Sequence, residues 1–392
     1  MTPRDVASHL FEVYDHHRRN DLSPSNCRHG VIVPEILKLA GSSKGFLSAQ
    51  EAGRSLEGRS ILNVSFGHGP TSVLLWSQMH GDEPTATLAI IDMLEYLLAS
   101  VGEDWVQMID RSLTVHIIPM LNPDGAERFR RFTAADVDMN RDARALVTPE
   151  ARILRDAQKT FLPEFGFNLH DQGLSSVGSS PHIAAMSLLA PALDDARTTP
   201  MGRIKAMRVG ALIAHALSPF AEGHLATYDD SYEPRAFGDG MQSWGTSTLL
   251  IESGHWPNDP EKKFVRKLNF VALLTCLEFI GDGSYQHIEL DAYRSLIPNG
   301  RRAFDIIVRG VTIRDSAEWT GKVDIGLLAV PEGERTSEFG GPQSRYAIKE
   351  IGDLRDFGAL SEIDANARSI ESREVRIEKT VRIEELRGML QL

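Results

Sequence analysis

Four apolar runs in this chain each end on a polar side chain that a buried strand has no packing reason to carry. SVLLWSQM (72–79) runs into His80-Gly-Asp-Glu83, and SLTVHIIPML (112–121) runs into Asn122-Pro-Asp-Gly125. FGFNLH (165–170) closes on His170, and GTSTLLIES (245–253) carries Glu252 beside its end. Near-continuous apolar segments are the signature of strands covered on both faces. Between them lie helical patterns at 83–100, with Pro84 in an allowed first-turn position, at 150–165, at about 200–217 and at 264–281. Strands alternating with helices predict an α/β unit with helices on both faces of a sheet, and in such sheets the chemical groups gather at the carboxyl ends of the strands.

A further helix is predicted over 4–19, followed by a mixed lead-in to about residue 55, and 59–69 and 72–79 read as consecutive strands around a Gly-Pro turn. After Gly283 the texture changes. AFDIIVRGVTIRD, GKVDIGLLAV, RYAIKEIGDL and REVRIEKTVRIEEL are short, β-branched, alternating segments separated by turn residues. The expectation is a first domain over 1–284 and a β-rich C-terminal domain over 285–392, the latter restricting the size of what reaches the former.

With 392 residues the chain has room for two such units, and its net charge of −12 argues against nucleic acid as a partner. Only Cys27 and Cys276 are present, far apart, which fits a reducing compartment. The first residues lack an apolar signal core and no stretch approaches the ~20 apolar residues of a membrane helix, so a cytoplasmic location without membrane attachment is expected.

His80-x-x-Glu83 admits two readings. Asp82 and Glu83 suit the first turn of a helix, with His80 incidental. Alternatively His80 and Glu83 bind one metal, and His170 completes a set of two His and one Glu, the three-protein-ligand arrangement of catalytic zinc. Asn122-Pro-Asp-Gly125 makes a good turn on composition alone. Glu252 is either an acid capping a strand or a general base beside a metal-bound water.

Taken together and in order, HxxE, NPDG, Arg131 followed by VDMNR, the strand-end His and the strand-end Glu make the region from about 55 to 280 resemble the M14 (funnelin) zinc carboxypeptidases. The resemblance implies an α/β/α sandwich around a mixed, mostly parallel, eight-stranded sheet, and one zinc per chain held by His80, Glu83 and His170. It implies that Asp138 orients the first His ligand, that Asn140 and Arg141 grip the substrate's terminal carboxylate, that Arg131 stabilises the oxyanion, and that Glu252 is the base. The family's mobile tyrosine corresponds to Tyr232, with Tyr228 as the alternative, and the residue governing side-chain preference lies around Phe237 to Asp239. Asp171 beside the second His departs from the digestive enzymes. The implied activity is hydrolysis of a peptide or amide bond next to a free carboxylate. N-acyl-amino-acid deacylation, of the succinylglutamate desuccinylase and aspartoacylase type, is the alternative, and a non-catalytic binding protein a more distant one. The oligomeric state stays open.

Overall fold

The computed structural model describes residues 1–315, 319–330 and 345–390. The apolar runs become the centre of a large sheet. Its strands are β1 (Ser48–Arg54), β2 (Ser60–Phe66), β3 (Thr71–Ser77), β4 (Leu113–Ile118), β5 (Phe165–Asp171), β6 (Ser176–Val177), β7 (Met186–Leu189), β8 (Leu225–Thr227), β9 (Ser247–Ser253) and β10 (Ile297–Gly300). They lie in the order β1-β2-β4-β3-β5-β9-β7-β8-β10-β6. β4, β3, β5 and β9 are mutually parallel, β1 and β2 run against their neighbours, and β7 runs against β9 but parallel to β8. The sheet holds ten strands where eight were expected, and the short strands β10 and β6 form one edge. The runs at 59–69 and 72–79 do not pair with each other, because β4 inserts between β2 and β3.

Alternation along β3 explains the layers. Val73 and Leu75 pack with one apolar cluster, while Leu74 and Trp76 point to the other. The larger face is covered by α1 (Pro3–His17), α2 (His29–Ser42), α3 (Thr85–Ala99), α4 (Asp104–Ser112), α7 (Met201–Leu217) and α9 (Lys263–Gly281). The smaller is covered by α6 (Pro149–Phe161) and α8 (Phe237–Ser243), whose Leu154, Phe237 and Met241 meet Trp76. α5 (Pro123–Glu127) is a single short turn after β4. Trp76 is wholly buried, and truncating such a residue to Ala costs about 3–5 kcal/mol.

The second sheet holds β11 (Ala303–Asp315), β12 (Trp319–Ala329), β13 (Arg345–Gly352), β14 (Gly358–Asp364), β15 (Ser369–Glu371) and β16 (Thr380–Arg382), in the order β14-β11-β12-β13-β16 with β15 beside β11. It has a core of its own around Val308, Val311, Ile325 and Ile348. The first unit runs on to Gly300 instead of ending at 284. Tyr285 and Tyr293 belong to its core, and Ile297 and Pro298 pair with β8. Gly283 marks the end of α9, not of the unit. The edge strand β14 docks on the loop after β9, where the Asn258 N–H donates to Leu360 O at 2.8 Å. A cavity of about 450 Å³ between the units is lined by His182, His224, Arg309, Phe357 and Glu362. Among the described residues no single helix is long and apolar enough to cross a membrane.

Candidate metal centre

His80 lies three residues past β3, His170 sits on β5 and Glu252 on β9, so three adjacent strands deliver the three groups to one end of the sheet. His170 and Glu252 are direct partners in the parallel register, which puts both side chains on one face. The His80 loop is fixed by the NPDG turn. Asn122 caps α5 by accepting from the Gly125 N–H at 2.9 Å, while its amide donates to Met79 O at 3.2 Å. Gly81 lies so close to Gly125 that an added Cβ would fall 2.0 Å from the Gly125 carbonyl carbon, so only glycine fits there. The NPDG segment is therefore a bracket for the HxxE loop.

One donor atom from each of His80, Glu83 and His170 lies within 4.8 Å of the others, and all three residues are buried. His80 Nδ1 is 2.7 Å from Glu83 Oε1, His170 Nδ1 is 2.8 Å from Glu83 Oε2, and the two Nδ1 atoms are 3.2 Å apart. His80 Nε2 faces Asp138 Oδ1 at 3.2 Å; donating its proton there leaves the Nδ1 lone pair turned toward the cluster. Four lone-pair atoms thus converge. A proton satisfies one pair of them, whereas one cation satisfies all, and two imidazoles with a carboxylate suit zinc.

The electrostatics tell the same story. Burial alone would lower the His80 pKa, but the Glu83 and Asp138 carboxylates outweigh it and hold the ring at about 9. Burial pushes against the Glu83 charge, and the two imidazoles win, holding it well below the usual carboxylate range. His170 is shifted down, chiefly by burial. Glu252 is pushed up to about 8 by burial first and by the Glu83 charge second. A carboxylate in that range is suited to exchange a proton near neutral pH.

Arg131 is half-exposed and clamped through Nε and Nη2 to Asp138 Oδ2 at 3.1 and 3.0 Å, with Nη1 3.4 Å from Glu83 Oε1. Asp138 Oδ1 also accepts from the Asn140 N–H at 2.9 Å. Asn140 is itself tied to α8, its Oδ1 accepting from the Phe237 N–H at 2.9 Å, while Arg141 is exposed. Of the two tyrosines, Tyr228 lies in the field of the cluster: the Glu252 charge, then burial, then Glu83 push it up to about 12. Tyr232 lines a separate cavity of about 550 Å³ beyond Arg141.

Asp171 is not a solvated acid. Its Oδ2 accepts from Thr85 Oγ1 at 2.6 Å and from Lys262 Nζ at 3.2 Å, and its own N–H donates to Glu83 Oε2 at 3.2 Å. Lys262 also donates to Ser253 O at 3.2 Å, joining the ends of β5 and β9. Lys262 escaped notice in the sequence because NDPEKKF reads as a solvated charge run. Of the loop histidines, His182 and His224 stack on each other at 4.9 Å in the cavity between the units, away from the cluster.

Residues 33–171 match the profile of the zinc carboxypeptidase family, Peptidase_M14. Over that stretch, about a third of its length, the chain is similar to this family. Carboxypeptidase 2 of Trichophyton rubrum is 26% identical over 147 residues, which cover 35% of this chain and 27% of that protein. Carboxypeptidase D of Drosophila melanogaster is 31% identical over 111 residues, 23% of this chain and 8% of that one. The match thus spans about a quarter or less of the length of these curated relatives. A solved metallo-carboxypeptidase from Burkholderia cenocepacia superposes with a TM-score of 0.50 at 18% identity, covering 63% of this chain and 68% of that one. Thrombin-activatable fibrinolysis inhibitor gives 0.54 at 10% identity, over 70% and 80%. At these identities the structures establish the shared fold. The profile match ends at Asp171, so Glu252 lies outside it and rests on the geometry.

Proposed function

We propose that this protein is a zinc-dependent carboxypeptidase that hydrolyses the last peptide bond of substrates with a free C-terminal carboxylate. The observation that carries this reading is the convergence of His80, Glu83 and His170 with Glu252 paired beside them on the next strand. One zinc ion held by the three residues would supply Lewis acidity, lowering the pKa of a water and polarising a carbonyl. Glu252 accepts the proton from the attacking water and returns it to the departing amine. With a dication bound, the pKa of Glu252 would fall from about 8 and its base form would be available near neutrality. Arg131, held by Asp138, directs Nη1 at the His80–Glu83 cluster, where it stabilises the charge that develops on the carbonyl oxygen. Asn140 and Arg141 take the terminal carboxylate, for which a guanidinium fork is well matched. Tyr228, in the field of Glu252 and Glu83, is better situated than Tyr232 to bond the substrate backbone near the scissile bond. The β unit, bound through Leu360 to the loop that follows Glu252, narrows the approach.

The test pairs elemental analysis with product analysis. Purified protein is expected to hold one zinc per chain, lost in His80→Ala/His170→Ala. It is expected to release the last residue of a test peptide and to leave the same peptide intact when its C-terminus is amidated. No metal uptake, or equal cleavage of the amidated peptide, would sink the reading.

A further inference from the structure

The cavity of about 550 Å³ beyond the terminal-carboxylate arginine is not accounted for by the reaction itself. Arg141 Nε is 3.8 Å from Glu233 Oε2, and Tyr232 and Pro234 on either side of Glu233 line the cavity. Its volume exceeds what one small side chain fills, and pockets of this size take a specific group through a few placed polar atoms.

Two of its walls carry arginines in a chain whose acids outnumber its basic residues, 54 to 42. Arg155 lies flat on Trp244, its guanidinium carbon 3.9 Å from the ring centroid, and donates to the neutral Gln158 amide. Stacking of this kind fixes the fork and leaves its edge free to donate. Arg144, three positions past Arg141, is exposed at the rim. Among the described residues neither arginine forms an ion pair with a carboxylate, whereas neighbouring Arg235 and Arg141 both face Glu233. Asp239 also lines the cavity, but its Oδ1 is engaged by the Glu233 N–H at 3.2 Å, and it joins neither arginine.

We propose that this cavity is a subsite for a carboxylate-bearing side chain, with Arg144 and Arg155 as its specificity-determining residues, so that the enzyme favours peptides ending in Glu or Asp. The inference rests on the carboxypeptidase reading, because Arg141 must hold the terminal carboxylate for the side chain to enter. Two carboxylates of one residue are then gripped by arginines on two walls, the first by Arg141 and the second by Arg144 and Arg155.

The test uses the full chain loaded with zinc and benzoyl-glycyl dipeptides ending in Glu, Leu or Lys. The Glu substrate is expected to exceed the Leu substrate in kcat/KM about tenfold or more, since one added charge-assisted contact reaches that range. Arg144→Ala, at the exposed rim, and Arg155→Ala are each expected to reduce the Glu-to-Leu ratio several-fold through KM, and Arg155→Glu to move preference toward Lys. A wild-type preference for Lys would assign the cavity to Asp239 and overturn the proposal. An unchanged ratio in both alanine variants would overturn it as well. If none of the three substrates is hydrolysed, the peptidase reading has failed and calorimetric binding decides on the pocket. N-acetylglutamate binding over N-acetylleucine, lost in Arg144→Ala/Arg155→Ala, supports the carboxylate pocket; equal binding of both ligands overturns it.

Discussion

The first unit holds two buried clusters of charge. Where α1, α3 and α9 meet, Asp92 accepts from Tyr14 Oη at 3.0 Å, from the Arg19 N–H at 2.9 Å, and from Arg266 Nε and Nη2 at 2.6 and 2.5 Å. Arg266 spends its remaining donors on the Leu22 and Arg19 carbonyls. That network closes: one negative charge, one positive, and a donor for each acceptor. At the ends of β3, β5 and β9 the inventory does not close. Among the described residues Glu83, Asp138, Asp171 and Glu252 face Arg131 and Lys262, and without a metal the balance is made up by protons, with His80 raised to about 9 and Glu252 to about 8. Among the described residues His170 Nε2 and Asp171 Oδ1 have no hydrogen-bond partner. The comparison teaches that burial and charge by themselves do not mark a functional site. A closed network is a structural pin; an open one, balanced only by protons that a cation can displace, is a seat for a ligand.

The sharpest attack on this contrast is Glu252→Gln. It is expected to lower kcat by about 10²–10⁴-fold, the span of general acid–base catalysis, while zinc content and melting temperature hold. A variant with near-normal turnover would remove Glu252 from the chemistry. Arg266→Ala attacks the other cluster. Leaving Asp92 buried without its partner is expected to cost about 3–5 kcal/mol in denaturant unfolding, with the folded fraction still carrying zinc. A loss below about 1 kcal/mol would show that the pin does not hold α1 and α9.

A smaller effect separates the two clusters by pH. Without metal, His80 is held at about 9 against an ordinary 6.5, and Glu252 at about 8 against 4.5. Both folded-state values are raised, so both groups contribute stability that is present at low pH and lost as pH rises through the folded values. Metal-free protein is expected to melt lower at pH 9 than at pH 6.5. The rise in melting temperature on adding zinc is expected to grow over the same interval, because fewer protons have to leave. An apo melting curve flat between those pH values would contradict the open-cluster account.

The site was more legible than the fold's margins. His80, His170 and Glu252 stand out because buried central strands are so apolar that a polar residue at their ends breaks the pattern. Edge elements lack that contrast. β1, SAQEAGR, is mostly exposed and shows no apolar alternation, and β6 has two residues. α2 was hidden by Pro34, which reads as a breaker yet sits inside the helix. Tyr228 and Tyr232 cannot be ranked from spacing, since the loop between β8 and α8 has no period to fix its register. Lys262 reaches Asp171 from a left-handed backbone position at the start of α9, an orientation no local pattern announces.

The pin between α1 and α9 also bears on how the protein is made. Asp15 and Lys267, an ion pair beside it, are 252 positions apart in the chain. At 5–20 residues per second, α1 waits roughly 10–50 s for the helix that completes its environment. Until then the side of α1 that packs on α9, with Tyr14 against Phe270, is uncovered. Nascent chains stalled before residue 263 are therefore a form of this protein in need of a chaperone, and the emergence of α9 is the moment α1 gains the partner that completes its cover.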